Sequence, residues 1–154
     1  MEELRVKDIM QTDVVAAGPD TTVEELADLL AEHRISGVPV VDGENRVIGV
    51  VSEADVIMQD ADLHFPHYVQ LLESIIYLES IRKFEQRYRK AFGTKVADIM
   101  SREVVAISPE ASVREAATLM ADRGVNRLPV TEQRRVVGIV TRGDIVRAIA
   151  ESKV

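Results

Sequence analysis

The feature that most constrains this chain is an internal repeat. "VKDIM", Val6 to Met10, returns as "VADIM", Val96 to Met100, at an offset of 90. "DVVAAGPDTTVEELADLLAEHRISGVPVV" from Asp13 matches "EVVAISPEASVREAATLMADRGVNRLPVT" from Glu103 at the same offset. "RVIGVVSEADVI" from Arg46 then matches "RVVGIVTRGDIV" from Arg135 at offset 89. The slip of one residue falls in the turns "DGEN" and "EQR", where loops tolerate a deletion. A chain written twice must fold as two copies of one small unit.

Both copies predict the same order of elements. A β-branched run comes first, Val14-Val15 and Val104-Val105, followed by a Gly/Ser-Pro turn. Thr22-x-x-Glu25 and Ser112-x-x-Glu115 are capping boxes. They open amphipathic helices with Val23, Leu26, Ala27 and Leu30, or Val113, Ala116, Ala117 and Met120, on the apolar face. Two strands follow, "GVPVV" to "VIGVV" and "RLPVT" to "VVGIV", each pair joined by a tight turn. A second helix begins near Ser52 and Thr141. One such unit buries little core alone, whereas two packed together bury much more. The expectation is an α+β fold of the broad α/β class. Two pseudo-symmetric β-α-β-β-α repeats pack sheet-to-sheet, with an aromatic-rich helix inserted between them. The divisions are 1–61 for the first repeat, 62–95 for the helical insert and 96–154 for the second repeat, the two repeats forming one globular module.

The insert differs in kind. It holds all six aromatic residues, Phe65, Tyr68, Tyr77, Phe84, Tyr88 and Phe92. Pro66 suits a first helical turn, and Tyr77, Ile81, Phe84, Tyr88 and Phe92 keep helical spacing. This segment reads either as a linker helix packed on its own module or as a dimerisation helix. His64-x-x-His67 straddles Pro66 with no further ligand cluster, so it reads as a solvated helix start rather than a metal pair.

Charge separates the copies. Residues 1–61 carry a net −10, residues 62–95 a net +2 and residues 96–154 a net +1. The total of −7 argues against a general nucleic-acid binder. An anionic ligand finds the second copy the easier host. No cysteine is present, which removes thiol catalysis, disulfides and thiolate metal sites. No leader pattern opens the chain and no stretch is apolar enough to span a bilayer, so a cytoplasmic location without membrane attachment is expected. No Walker loop and no Ser-His-Asp set is apparent, and the chain is not read as an enzyme.

The stretch "GIVTRGDIV", Gly138 to Val146, carries the chemistry. Thr141-x-x-Asp144 alone is a capping pattern. An Arg-Gly-Asp adhesion role needs an exposed loop on an extracellular protein and is set aside. Beside "GVVSEADVI" in the first copy, the stretch becomes one of two equivalent strand-to-helix turns. Each offers a hydroxyl, free helix N–H groups and a carboxylate. A carboxylate receives the hydroxyls of a cis-diol well, and a helix N-terminus favours phosphate. Gly143 removes a Cβ beside the backbone, and Arg142 and Arg127 supply charge-assisted donors for phosphate oxygens. The first copy has Glu53 and Ala54 in place of Arg142 and Gly143, so its turn ranks second. Capping and ligand binding are expected to coexist, with one carboxylate oxygen on the backbone and the other free. Arg5 and Lys7, near the first "DIM", are candidates for the border of a cleft.

Together these motifs, in this order and twice in register, resemble a tandem cystathionine-β-synthase (CBS) domain pair over roughly residues 6–58 and 96–148. The resemblance implies a regulatory module with two pseudo-twofold clefts for adenosine-containing ligands. It implies that the Asp of each turn receives the ribose hydroxyls and that the Ser/Thr touches phosphate. By position in the motif, the cleft on the second copy uses Thr141 and Asp144, with Val14, Val15 and Ala17 against adenine and Asn126 and Gly37 at the rim. The cleft on the first copy uses Ser52 and Asp55, with Val104, Val105 and Ile107 flanking the base and Ser36 and Arg127 at the rim. The expected ligand is AMP, ADP or ATP, with no obligatory cofactor and no metal. The expected partners are a second copy of the chain, slightly favoured antiparallel, and an unidentified protein target. The alternative is a structural dimerisation or adaptor unit with vestigial clefts.

Overall fold

The computed structural model describes residues 3–59 and 94–152. The aromatic insert, with His64, His67 and the proposed helix beyond Pro66, lies outside the described residues. The elements run α1 (Val6–Ile9), α2 (Val23–His33), β1 (Gly37–Val41) and β2 (Val47–Ser52), followed by a helical segment, α3 (residues 53–59). The second copy repeats them as α4 (Val96–Ile99), α5 (Val113–Arg123), β3 (Arg127–Glu132), β4 (Arg135–Thr141) and α6 (Arg142–Ser152). Two small sheets form, β1 with β2 and β3 with β4. The α+β repeat architecture is therefore present.

Local chemistry explains the helix limits. Thr22 Oγ1 accepts from the Glu25 N–H at 3.1 Å. In α5 the box is reciprocal: Ser112 Oγ accepts from Glu115 N–H at 3.0 Å, and Glu115 Oε2 accepts from Ser112 N–H at 3.1 Å. Both helices end on a left-handed residue, Arg34 at φ 54° after α2 and Gly124 at φ 64° after α5. Glycine adopts this conformation freely, while an arginine is strained there.

The leading β-branched runs do not become strands. Ala17 and Ile107 each make a single parallel bridge, to Val40 and Val130, and Val14-Val15 and Val104-Val105 pair with no strand. The reason lies in the partner strands: Pro39 and Pro129 accept from Ala17 and Ile107 N–H at 3.0 Å but have no N–H to donate back toward Val15 and Val105.

The chain divides into two compact units that do not follow the repeats. One unit takes Met1–Ala16, Val41–Ile48 and Glu103–Val154; the other takes Ala17–Val40 and Gly49–Arg102. Each copy's "DIM" turn serves the other copy's hairpin. In the first unit Gln11 and Ile139 exchange backbone hydrogen bonds of 2.8 and 2.9 Å. In the second, Val50 and Ser101 exchange two of 2.9 Å. The helix starts are held likewise, with Val6 N–H donating to Ala111 O at 2.8 Å and Val96 N–H to Thr21 O at 2.7 Å.

The "DIM" methionines explain the glycines of the third motif. A Cβ on Gly138 would lie 2.5 Å from Met10 Sδ and 3.0 Å from Gln11 O. A Cβ on Gly49 would lie 2.6 Å from Met100 Sδ and 2.9 Å from Ser101 O. Glycine is required at both positions by close approach rather than by conformation.

The core of the first unit gathers Val6, Ile107, Val113, Ala116, Met120, Leu128, Val130, Val140 and Ile145. In the second unit Val23, Leu26, Leu30, Val38, Val40, Val51 and Val96 are buried. The apolar positions read from the helical spacing are the buried ones, with Ala27 and Ala117 at the margin. Among the described residues no helix is long and apolar enough to cross a membrane.

Candidate functional site

The Asp144 turn starts with β4 delivering Thr141 to the head of α6. Asp144 N–H donates to Thr141 Oγ1 at 3.2 Å, and Thr141 N–H donates to Asp144 Oδ2 at 2.9 Å. The capping box is complete. Arg142 N–H donates to Asn126 O at 2.9 Å, which ties the loop before β3 to the same turn. The side chain of Arg142 is exposed and its neighbour Gly143 adds no Cβ.

Asp144 is buried, with its side chain only 5% exposed. Gln11 Nε2 donates to Oδ1 at 3.1 Å and to Oδ2 at 3.2 Å. Arg147 Nη2 pairs with Oδ1 at 2.5 Å. The expectation that one carboxylate oxygen stays free fails here. Burial makes an unpaired carboxylate expensive, and a neighbouring cation and an amide have filled the vacancy.

The Asp55 turn has the same skeleton and different furnishing. Ser52 donates to Asp55 Oδ2 from its N–H at 2.8 Å and from Oγ at 3.3 Å. Glu53 N–H donates to Ser36 O at 2.8 Å, the counterpart of the Arg142–Asn126 bond. Ser101 and Met58 stand where Gln11 and Arg147 stand in the other copy. Asp55 is half-buried, and among the described residues its Oδ1 has no hydrogen-bond partner. The free oxygen expected at both turns is found at this one.

The remaining candidates divide between the units. Val14, Val15, Asn126, Arg127 and Arg142 share the first unit with Thr141 and Asp144. Ala17 and Gly37 belong to the second. Ser36 shares the second unit with Ser52 and Asp55, whereas Val104, Val105 and Ile107 belong to the first. Val14, Val15, Val104 and Val105 are partly buried and Ile107 is buried, with Val105 packed against the core of the first unit. Arg127 Nε donates to Asn126 Oδ1 at 3.3 Å.

Arg5 and Lys7 are engaged elsewhere. Arg5 Nη1 pairs with Glu110 Oε2 at 2.8 Å and Lys7 Nζ with Glu110 Oε1 at 3.0 Å. The Lys7 hydrogen bond chiefly holds the Glu110 carboxyl below its ordinary value, against an opposing effect of desolvation and with help from Arg5. Asp42 is also lowered, chiefly by the Arg46 backbone N–H at 2.9 Å. Among the described residues no group of His, Asp or Glu is arranged to hold a metal ion.

Sequence reasoning missed Gln11 and Arg147. The Arg147 signal was available, because residues three apart on a helix are neighbours. Gln11 lies 133 residues from Asp144 and carried no local signal.

The hairpins, each ending in a helix that starts on a Ser/Thr–Asp cap, define a tandem-repeat module built on two equivalent turns. The chain belongs to the CBS domain family, whose model matches residues 6–62 and 96–151, and it is a tandem CBS domain pair. It is 31% identical over 156 residues to the uncharacterized protein MJ1426 of Methanocaldococcus jannaschii, covering 96% of this chain and 92% of that one. It is similar to the structure of CBSX2 in complex with AMP, with 26% identity, TM-score 0.76, and 98% and 99% of the two chains covered. CBSX2 is a chloroplastic protein of Arabidopsis thaliana, and this chain spans 58% of its full length. A third likeness is to the CBS domain pair of protein MJ0100 in complex with 5-methylthioadenosine and S-adenosyl-L-methionine. It has 25% identity and TM-score 0.68, and 94% and 98% of the chains are covered.

Proposed function

We propose that this chain is a regulatory module that binds an adenine nucleotide, AMP, ADP or ATP, and passes its occupancy to a partner protein. Asp144 receives the ribose hydroxyls, Thr141 and the head of α6 face the phosphate with Arg142 beside them, and Val14 and Val15 flank the base. Asn126, whose carbonyl accepts from Arg142 N–H, stands beside them. Ser52 and Asp55 offer a second such turn, with Ser36 beside it. One observation carries the reading: a buried carboxylate and a hydroxyl at a helix start, in a chain similar to an AMP-bound CBS pair. Binding transmits a signal only if the ligand prefers one arrangement of the module over another.

The test is thermal melting with AMP, ADP, ATP, adenosine, 5-methylthioadenosine and S-adenosylmethionine. A ligand at a hundredfold excess over its Kd should add about 2.7 kcal/mol of stability. No shift with any of them at millimolar concentration would overturn the proposal.

A second reading, a structural dimerisation unit, has its own support. Val146 and Ile149 are 59% and 50% exposed on α6, one helical turn apart, and Ile57 and Met58 are exposed on α3. Neighbouring exposed apolar side chains on one helix, as in each of these pairs, favour an interface. The proposed homodimer accommodates both readings, and a monomer by light scattering at micromolar concentration would remove it.

A further inference from the structure

Asp144 Oδ1 accepts from Arg147, a contact with no counterpart at the other turn among the described residues. The Arg147 guanidinium is on a side chain 65% exposed, held to a carboxylate 5% exposed. Its Nη1 lies 3.4 Å from where a Cβ on Gly143 would stand, so it lies over the backbone at the head of α6. The only anion paired with it among the described residues is Asp144. Met58 occupies the equivalent place in the first copy, where Asp55 Oδ1 has no partner among the described residues.

We propose that Arg147 is the specificity-determining residue of the Asp144 turn, selecting phosphorylated nucleosides over bare ones. The inference rests on the reading that Asp144 receives the ribose. A ribose hydroxyl that takes Oδ1 must displace the guanidinium. The displaced cation then loses a charge-assisted bond and regains one only if the ligand brings an anion. The exposed, rotamer-rich arginine can make that exchange without moving the backbone. Adenosine displaces Arg147 and offers nothing in return, whereas AMP offers phosphate oxygens at the same helix start. Gln11, which bonds both oxygens weakly at 3.1 and 3.2 Å, holds the carboxylate in place through the exchange.

The experiment uses the full chain carrying Asp55→Asn, so that one turn is titrated. AMP and adenosine are measured by calorimetry with and without Arg147→Met, the substitution that copies the first repeat. The parent should favour AMP by tenfold or more, roughly the value of one charge-assisted hydrogen bond. Arg147→Met should cut that ratio by roughly tenfold, in part by tightening adenosine. Arg147→Lys, which keeps the cation, should retain most of the preference. A structural role alone would move both ligands equally, so an unchanged ratio with AMP still bound overturns the role of Arg147 and leaves the ribose reading standing. No binding of either ligand to the Asp55→Asn chain at millimolar concentration overturns the ribose reading itself, and this inference with it.

Discussion

The two strand-to-helix turns are written almost alike and are furnished in opposite ways. Asp144 is buried and meets Thr141, Gln11 and Arg147; Asp55 is half-buried and meets Ser52 alone among the described residues. The skeleton is shared because the carboxylate's bond to the Ser/Thr N–H, the bond to Asn126 or Ser36 and the exchanged "DIM" turn are shared. The difference comes from three pairs, Gln11 for Ser101, Arg147 for Met58, and Arg142-Gly143 for Glu53-Ala54. The second-copy turn is richer in cations and already occupied by one of them. The first-copy turn is open but has Glu53 at its helix start. Duplication preserved how the turn is built and released what it holds.

Substitutions at the shared skeleton should be equal in the two halves and large. Gly138→Ala and Gly49→Ala each force a Cβ onto a methionine sulfur and a backbone carbonyl. Each should cost about 1–3 kcal/mol in urea unfolding, the usual range for overpacking. A tolerant Gly49 beside an intolerant Gly138 would break the equivalence of the halves.

The carboxylates themselves should behave unequally. Asp144→Ala strands the Thr141 N–H, the Gln11 amide and the Arg147 guanidinium, and should cost about 1–3 kcal/mol. Asp55→Ala removes half of one cap and should cost about 0.5–1 kcal/mol. Chemical denaturation of the two variants checks the order, and equal losses would show that the extra partners of Asp144 contribute nothing.

The helix ends give a smaller contrast. Arg34→Gly relieves a left-handed arginine at φ 54° and should stabilise by up to about 1 kcal/mol, while Gly124→Ala at φ 64° should destabilise by about as much. Thermal melts with opposite signs would support the pairing of these two caps.

The smallest effect is set by pH. The Glu110 carboxyl is held below its ordinary value of 4.5, first by Lys7. A depressed carboxylate stabilises the folded state fully above its unfolded value, and the effect is lost as pH falls through the lower folded value. The stability gap between the native chain and Glu110→Gln should therefore be present at neutral pH and close under acid. It should be small, because the groups are exposed. A gap that widened in acid would contradict the assignment.

Much of this was legible in the sequence. The capped helices α2 and α5 and the four hairpin strands follow from local spacing and turn residues, and the repeat supplied their equivalence. The leading runs at Val14 and Val104 looked like strands because β-branched residues favour them. A strand also needs a continuous partner, and Pro39 and Pro129 deny one. The exchange of "DIM" turns was illegible, because it pairs residues far apart in the chain, such as Gln11 with Ile139 and Val50 with Ser101. For the same reason Gln11 was missed, and with it the filling of the Asp144 carboxylate. Both candidate aspartates were legible as caps, but their different surroundings were not.

The most direct test of the account is calorimetric titration of AMP into the native chain and into Asp144→Asn, which keeps the shape of the side chain and removes its charge. The account predicts that AMP binds the native chain and that the variant loses the site on the second repeat, with any residual binding removed by adding Asp55→Asn. AMP binding of undiminished affinity and stoichiometry in Asp144→Asn would contradict it.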